Sequence, residues 1–375
     1  MSGSLPGEHA GCTEQEDLLS NIQNSEKRNY QLDVMKVVFA FLVLISHTDL
    51  FMKEDTYMPH ALGAWAVFFF FIVSGMLMVH GAAKSGERDP AETSWAFIIN
   101  KVRKLFLPCF IALLINFCIF QFINIKNGVI LSVVDISKII PQILFMTSTS
   151  VDSFMLNSPA WYISAMLIVM LPLYYLLRRN RNFYLYIFSP ICAILGYMYC
   201  YNRDGHYFAF FEYFGFLSGG LVLALMGISF GSISYIVAQK LKSCDRKAQR
   251  ITVTAAELLL YALIFVVWFA PSCDADSAYS IMLLLPLAVG ITFSKASYIS
   301  ELFYCKYFRI CGEISLAVYL NHISAWRIVR EYFMNESYEM CVFIMILLTA
   351  IVSVFYILII KLLKMLWNKV RHMYF

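Results

Sequence analysis

The segment YQLDVMKVVFAFLVLISHTDLF, residues 30–51, sets Asp33, Lys36 and His47 into an otherwise apolar run. Each ionisable group is costly inside a bilayer, so three in one such segment call for a reason. On a helix, eleven residues advance about 1100° and roughly 16 Å, which returns His47 to within about 20° of Lys36. Asp33 lies about 60° to the side. The three groups form one polar seam, with Phe39, Phe41, Val43 and Leu44 filling much of the remaining surface, and a seam of that kind faces protein or water. Asp33 and Lys36 act either as an interfacial ion pair, with the lysine stem snorkelling to the headgroups, or as part of a site. His47 is either an interhelical hydrogen bonder or a proton acceptor, a task that neutral imidazole suits.

A second seam runs through CGEISLAVYLNH, residues 311–322. Ser315, Tyr319 and His322 fall within about 60° of one another on a helix, whereas Glu313 lies about 180° from His322 and belongs to another neighbourhood. His47 and His322 sit at comparable depth in their segments and could line a common cavity. Glu257, inside TAAELLLYALIF, needs a buried partner.

The elements that must position these residues are membrane helices. Of 375 residues 60% are hydrophobic and only 14% charged, which excludes a soluble globular chain. At about 20 apolar residues per crossing, candidate spans lie near 34–52, 61–80, 105–123, 159–177, 183–200, 214–238, 252–270, 279–296, 310–331 and 341–366. With the N-terminus in the cytoplasm, 22 Lys and Arg fall in cytoplasmic segments and 6 in the opposite loops, Lys36 set apart. That split supports ten crossings with both termini cytoplasmic; its weakest stretch is 201–240, where one long helix could be two short ones. The expected fold is an all-α polytopic helix bundle, with a flexible cytoplasmic tail at 1–28, a membrane domain at 29–366 and a cytoplasmic C-terminal tail at 367–375. The tail at 1–28 has no signal-peptide pattern. The net charge of +4 follows from basic cytoplasmic loops and requires no nucleic-acid partner. Ten cysteines show no CxxC pair and read as reduced packing residues; only Cys200 and Cys273 approach the outer face.

Five motifs, in order, resemble the acyltransferase 3 family of integral membrane O-acyltransferases. A basic residue, ten intervening residues and a histidine are met by Lys36 and His47. FFFFIVSGMLM (68–78) is similar to an aromatic run ending in Ser-Gly and places Phe70, Phe71, Ser74 and Gly75. INKVRKLFLPCF (99–110) resembles a basic entry to the third span, with Lys101 and Lys104 where many members have arginines and Arg103 between them. PAWYISAMLIVMLPLYYL (159–176) and GEISLAVYLNH resemble the remaining two. The resemblance covers about residues 29–366.

It implies acyl transfer, most simply of acetyl, from a cytoplasmic acyl-CoA co-substrate to a hydroxyl of a surface or lipid-linked glycan, with no permanently bound cofactor and no metal. His47 would be the general base, or conceivably an acyl carrier, served by Lys36 and Asp33. Lys101, Arg103 and Lys104 would hold the donor's phosphates, against their plainer role as topological anchors. Trp161, Tyr162, Ser315, Tyr319 and His322 would meet the acceptor or the oxyanion, against plain interfacial anchoring or helix packing. The chief rival from polar seams alone is a transporter or flippase for a lipid-linked saccharide; a noncatalytic membrane sensor is another.

Overall fold

The computed structural model describes residues 28–51, 61–84, 86, 88–129, 139–147, 156–204, 213–214, 217–270 and 275–374. Its long helices are α1 (Tyr30–Ser46), α2 (Ala61–Ala82), α3 (Pro90–Lys126), α4 (Ala160–Arg179), α5 (Arg181–Phe183 continuing through a π-helical turn at Tyr184–Phe188 into Ser189–Asp204), α6 (Gly219–Leu241), α7 (Lys247–Phe269), α8 (Ala275–Ser294), α9 (Cys311–Tyr332) and α10 (Tyr338–Tyr374). One departure from an all-helical chain is a two-residue antiparallel pairing of Tyr213–Phe214 with Leu217–Ser218. It leads directly into α6, so the ambiguous 201–240 stretch holds one long helix from Gly219 onward. The last helix also runs past the expected boundary at 366. Cys273, named with Cys200 in the sequence, lies outside the described residues.

Local chemistry sets the helix starts. Asn29 caps α1 by accepting from the Leu32 amide, and Asp89 caps α3 by accepting from Ala91 and Glu92, with Pro90 in the first turn. Ser218 caps α6 through the Leu221 amide.

Among the described residues, seven helices are long and apolar enough to cross a membrane: α2 to α7 and α10. The ten expected spans include three that fall short. α8 contributes a shorter apolar stretch, Tyr279–Ser294. α1 has 17 residues and carries Asp33 and Lys36, and α9 carries Glu313, His322, Arg327 and Arg330. Asp33 in α1 and His322 in α9 are buried among other helices, whereas Glu313 and Arg330 are exposed toward the two ends of α9. In α2, 72% of the apolar window is buried, and in α4 and α6 67%, against 22% in α5, α7 and α10. The outer helices therefore present apolar side chains outward, as lipid-facing helices must.

The centre is aromatic. Phe39 of α1 stacks on Phe69 of α2 with centroids 3.9 Å apart, and Phe39 also meets Trp268 of α7 at 5.5 Å. α2 and α6 approach closely because glycines face backbone: a Cβ on Gly75 would strike the Ile228 carbonyl, and one on Gly231 the Ile72 carbonyl. Small residues at such crossings let dispersion contacts form along the helices. This close contact fixes the face of α2 that carries Phe70 and Ser74 toward α4.

Candidate active site

The two histidines of the two seams meet. His47 ends α1 as its C-cap, and its ring lies 4.8 Å from that of His322 in α9, at 62°. His47 Nδ1 is 2.8 Å from the Val43 carbonyl. A carbonyl only accepts, so neutral His47 carries its proton on Nδ1 and keeps a lone pair on Nε2. The end of α1 provides that carbonyl because the last turn of a helix leaves acceptors unsatisfied within it. His47 is half-buried and His322 fully buried.

One turn back along α9, Tyr319 neighbours His322 and lines a cavity of about 290 Å³. Its ring is 6.2 Å from that of His322 and 5.7 Å from that of Tyr162, and its hydroxyl donates to the Pro159 carbonyl at 3.0 Å. The cavity has two characters. Lys36, Lys101 and Lys104 line it with Gly312 and Ser315, and so do the apolar and aromatic side chains of Phe70, Leu105, Tyr162, Ile163, Met166, Leu316 and Tyr319, with Ser74 among them. Cations and aromatic side chains therefore line one space, and Tyr319 links its wall to the histidine pair.

The lysine cluster is organised by Asp33. Its buried carboxylate accepts from Arg28 Nε at 2.6 Å and from Lys36 Nζ at 3.0 Å. Arg28 also reaches the Arg309 carbonyl at 3.3 Å. Gly312 packs beside them: a Cβ there would lie 2.8 Å from Arg28 Nη2, a contact that the guanidinium would have to shift to relieve. Lys101 and Lys104 share the cavity wall because residues three apart lie on one helical face; Arg103, exposed and two residues on, is not part of it. Lys101 also sits over the Phe97 ring at 5.3 Å.

In α4, Tyr162 faces the cavity while its neighbour Trp161 is buried against Phe71, centroids 6.0 Å apart, outside the cavity wall. The Tyr162 hydroxyl donates to the Phe70 carbonyl at 3.1 Å, so at 2.8 Å its oxygen accepts from Ser74. Ser315 Oγ donates to the Gly312 carbonyl at 3.1 Å. Glu313 lies elsewhere, 3.9 Å from Lys361 on the exposed side.

Sequence reasoning did not single out Arg28, Gly312 or Met166 as site residues. Arg28 sits at the edge of a polar tail and gave no periodic signal; Gly312 stood inside a quoted motif but has no reactive group. Glu257 has its partners: Gln31 Nε2 donates to its Oε1 at 2.7 Å, and Thr292 donates to the same oxygen. Tyr261 joins through Thr292 at 2.9 Å. This network ties α1 to α7 and α8, away from the cavity.

A family described as an acyltransferase domain, acyltransferase 3, matches residues 29–363, nearly the whole membrane domain. The chain belongs to the acyltransferase 3 family. No curated protein and no solved structure matched it in two further comparisons. This acyltransferase-family chain is a multi-pass membrane protein. Among the described residues no cluster of three or more His, Cys, Asp or Glu side chains could hold a metal ion.

Proposed function

We propose that the protein is a membrane O-acyltransferase that moves an acyl group, in the first instance acetyl, from cytoplasmic acyl-CoA to a hydroxyl of a surface or lipid-linked glycan. One observation carries this reading. The His47–His322 pair, its rings 4.8 Å apart, neighbours Tyr319, which lines a cavity together with Lys36, Lys101 and Lys104. Three lysines suit a polyphosphate donor. With ten crossings and the N-terminus inside, the lysines stand at the cytoplasmic face and His47 in the outer half of the membrane.

In the reaction, His47 Nε2 takes the proton of the acceptor hydroxyl as its oxygen attacks the thioester carbon. The tetrahedral intermediate collapses, the C–S bond breaks, and the imidazolium returns its proton to the departing CoA sulfur. The ester and free CoA balance the acyl-CoA and alcohol. Asp33 positions Lys36, and Tyr162 with Phe70 and Tyr319 forms the apolar chamber through which the acyl arm extends.

The test is transfer of radiolabelled acetyl from acetyl-CoA to extractable glycan in membranes carrying the normal chain or His47→Ala at matched levels. Label incorporated with the normal chain and reduced by about 100-fold or more in the variant supports the base assignment. Equal incorporation removes His47 from the chemistry, and an absence of label in both, with saccharide moved across sealed vesicles, replaces acyl transfer by transport.

A further inference from the structure

His322 is fully buried, and its Nδ1 lies 3.3 Å from the Val318 carbonyl of its own helix. That contact places the proton on Nδ1 and leaves Nε2 a bare acceptor. Nε2 is the ring nitrogen farther from the α9 backbone, and it has no hydrogen-bond partner in the protein. Held this way, neutral His322 cannot donate to an oxyanion; it can only receive. His47 is held alike, on the Val43 carbonyl at 2.8 Å. Two imidazoles, each with an acceptor nitrogen left over, meet edge to face with centroids 4.8 Å apart. A buried acceptor without a donor is a standing cost that a bound O–H removes.

We propose that His322 is a specificity-determining residue that receives a second hydroxyl of the acceptor, so that the substrate carries a vicinal diol: one hydroxyl reacts at His47 while its neighbour donates to His322. The inference rests on the acyl-transfer reading. Gauche neighbours on a sugar ring stand about one hydrogen-bond length apart, a separation that two adjacent imidazoles can serve with one acceptor each. The second hydroxyl keeps its proton; its hydrogen bond turns the first oxygen toward His47 Nε2 and the thioester, which is an orientation effect. A primary hydroxymethyl group on a hexose lacks such a neighbour, because the adjacent carbon bears the ring oxygen. Secondary ring hydroxyls flanked by a free hydroxyl are therefore the sites of modification.

The experiment has two arms, both with the full chain in membranes. In the first, glycan from cells carrying the normal chain is extracted and the ester position assigned by two-dimensional NMR. An ester on a secondary ring carbon beside a free hydroxyl is the expected result. An ester on a primary hydroxymethyl, or on a carbon with no hydroxyl neighbour, overturns the proposal; absence of any acyl ester refutes acyl transfer itself, and the diol inference falls with it. In the second, His322→Leu and His322→Gln are compared at matched levels. Transfer falls about 30-fold in the leucine variant, while glutamine, whose carbonyl oxygen accepts, restores most of it. Equal loss of transfer in the two variants overturns the proposal in favour of a packing role.

Discussion

Replacing Lys36 by methionine keeps most of the apolar stem and removes the charge from the cavity's lysine cluster. Lys36 Nζ is 3.0 Å from Asp33, the lysine side chain 22% exposed and the aspartate 6%. Asp33 remains paired with Arg28 at 2.6 Å, so the loss falls on the ligand and not on a stranded carboxylate. A phosphate charge about 4 Å from Nζ is attracted by about 4 kcal/mol at an effective dielectric near 20. Asp33 competes for the same ammonium and the phosphate gives up water, which leaves about 1–2 kcal/mol net, toward the low end of the roughly 1.5–3 kcal/mol of a hydrogen bond to a charged group. The KM for acetyl-CoA should therefore rise about 5–30-fold. The kcat should change little, because His47 lies roughly 16 Å farther along α1. Initial rates of labelled acetyl transfer across a range of acetyl-CoA, in vesicles with the cytoplasmic face exposed, measure both. Lys36→Arg should return KM to within a few-fold of normal. A fall in kcat at unchanged KM would refute the phosphate role and place Lys36 in the chemistry, and no change in either would remove it from the site.

Gly75→Val should lower the thermal midpoint of the detergent-solubilised protein and with it all activity, since the new Cβ meets the Ile228 backbone carbonyl and α2 can yield only by parting from α6, at about 3 kcal/mol or more. Glu257→Ala should destabilise by about 2–4 kcal/mol, because the Gln31 amide and Thr292 hydroxyl lose their buried acceptor; Glu257→Gln, which keeps a carbonyl oxygen, should cost much less by the same thermal measurement, and neither should shift KM in the protein that remains folded. Tyr319→Ala should raise release of CoA to water relative to acyl transfer about fivefold or more by opening the cavity wall beside the histidine pair, whereas Tyr319→Phe, losing only the bond to Pro159, should leave that ratio near normal.

Much of this was legible from periodicity. The seam of Lys36 and His47 is a consequence of helical geometry, and so is the grouping of Ser315, Tyr319 and His322. The same arithmetic set Glu313 apart, and it pairs with Lys361 on the exposed side. Helix ends were less legible, because they depend on caps: Asn29 starts α1 before the apolar run, and His47 closes it at Ser46 instead of near 52. Hydropathy counted α1, α8 and α9 with the other spans, although their composition or length falls below that of the outer helices. Inner helices meet protein instead of lipid, and their polar groups are answered by neighbours.

The amino-acid sequence by itself determined that the chain is a membrane helix bundle, since apolar runs of about 20 residues cross hydrocarbon as helices that satisfy their own backbone polar groups, and its ordered motifs pointed to the acyltransferase family. It could place residues on a face of one helix but not choose which faces meet. Tertiary packing decided that His47 and His322 adjoin, that Lys101 and Lys104 share a wall with Lys36 while Arg103 does not, and that Trp161 is set in the core while Tyr162 faces the cavity. The reason is that a helix's own geometry is local, whereas contacts between helices depend on shape: here, on glycines that let α2 approach α6 and on a carboxylate, Asp33, that gathers cations contributed before and within the same helix.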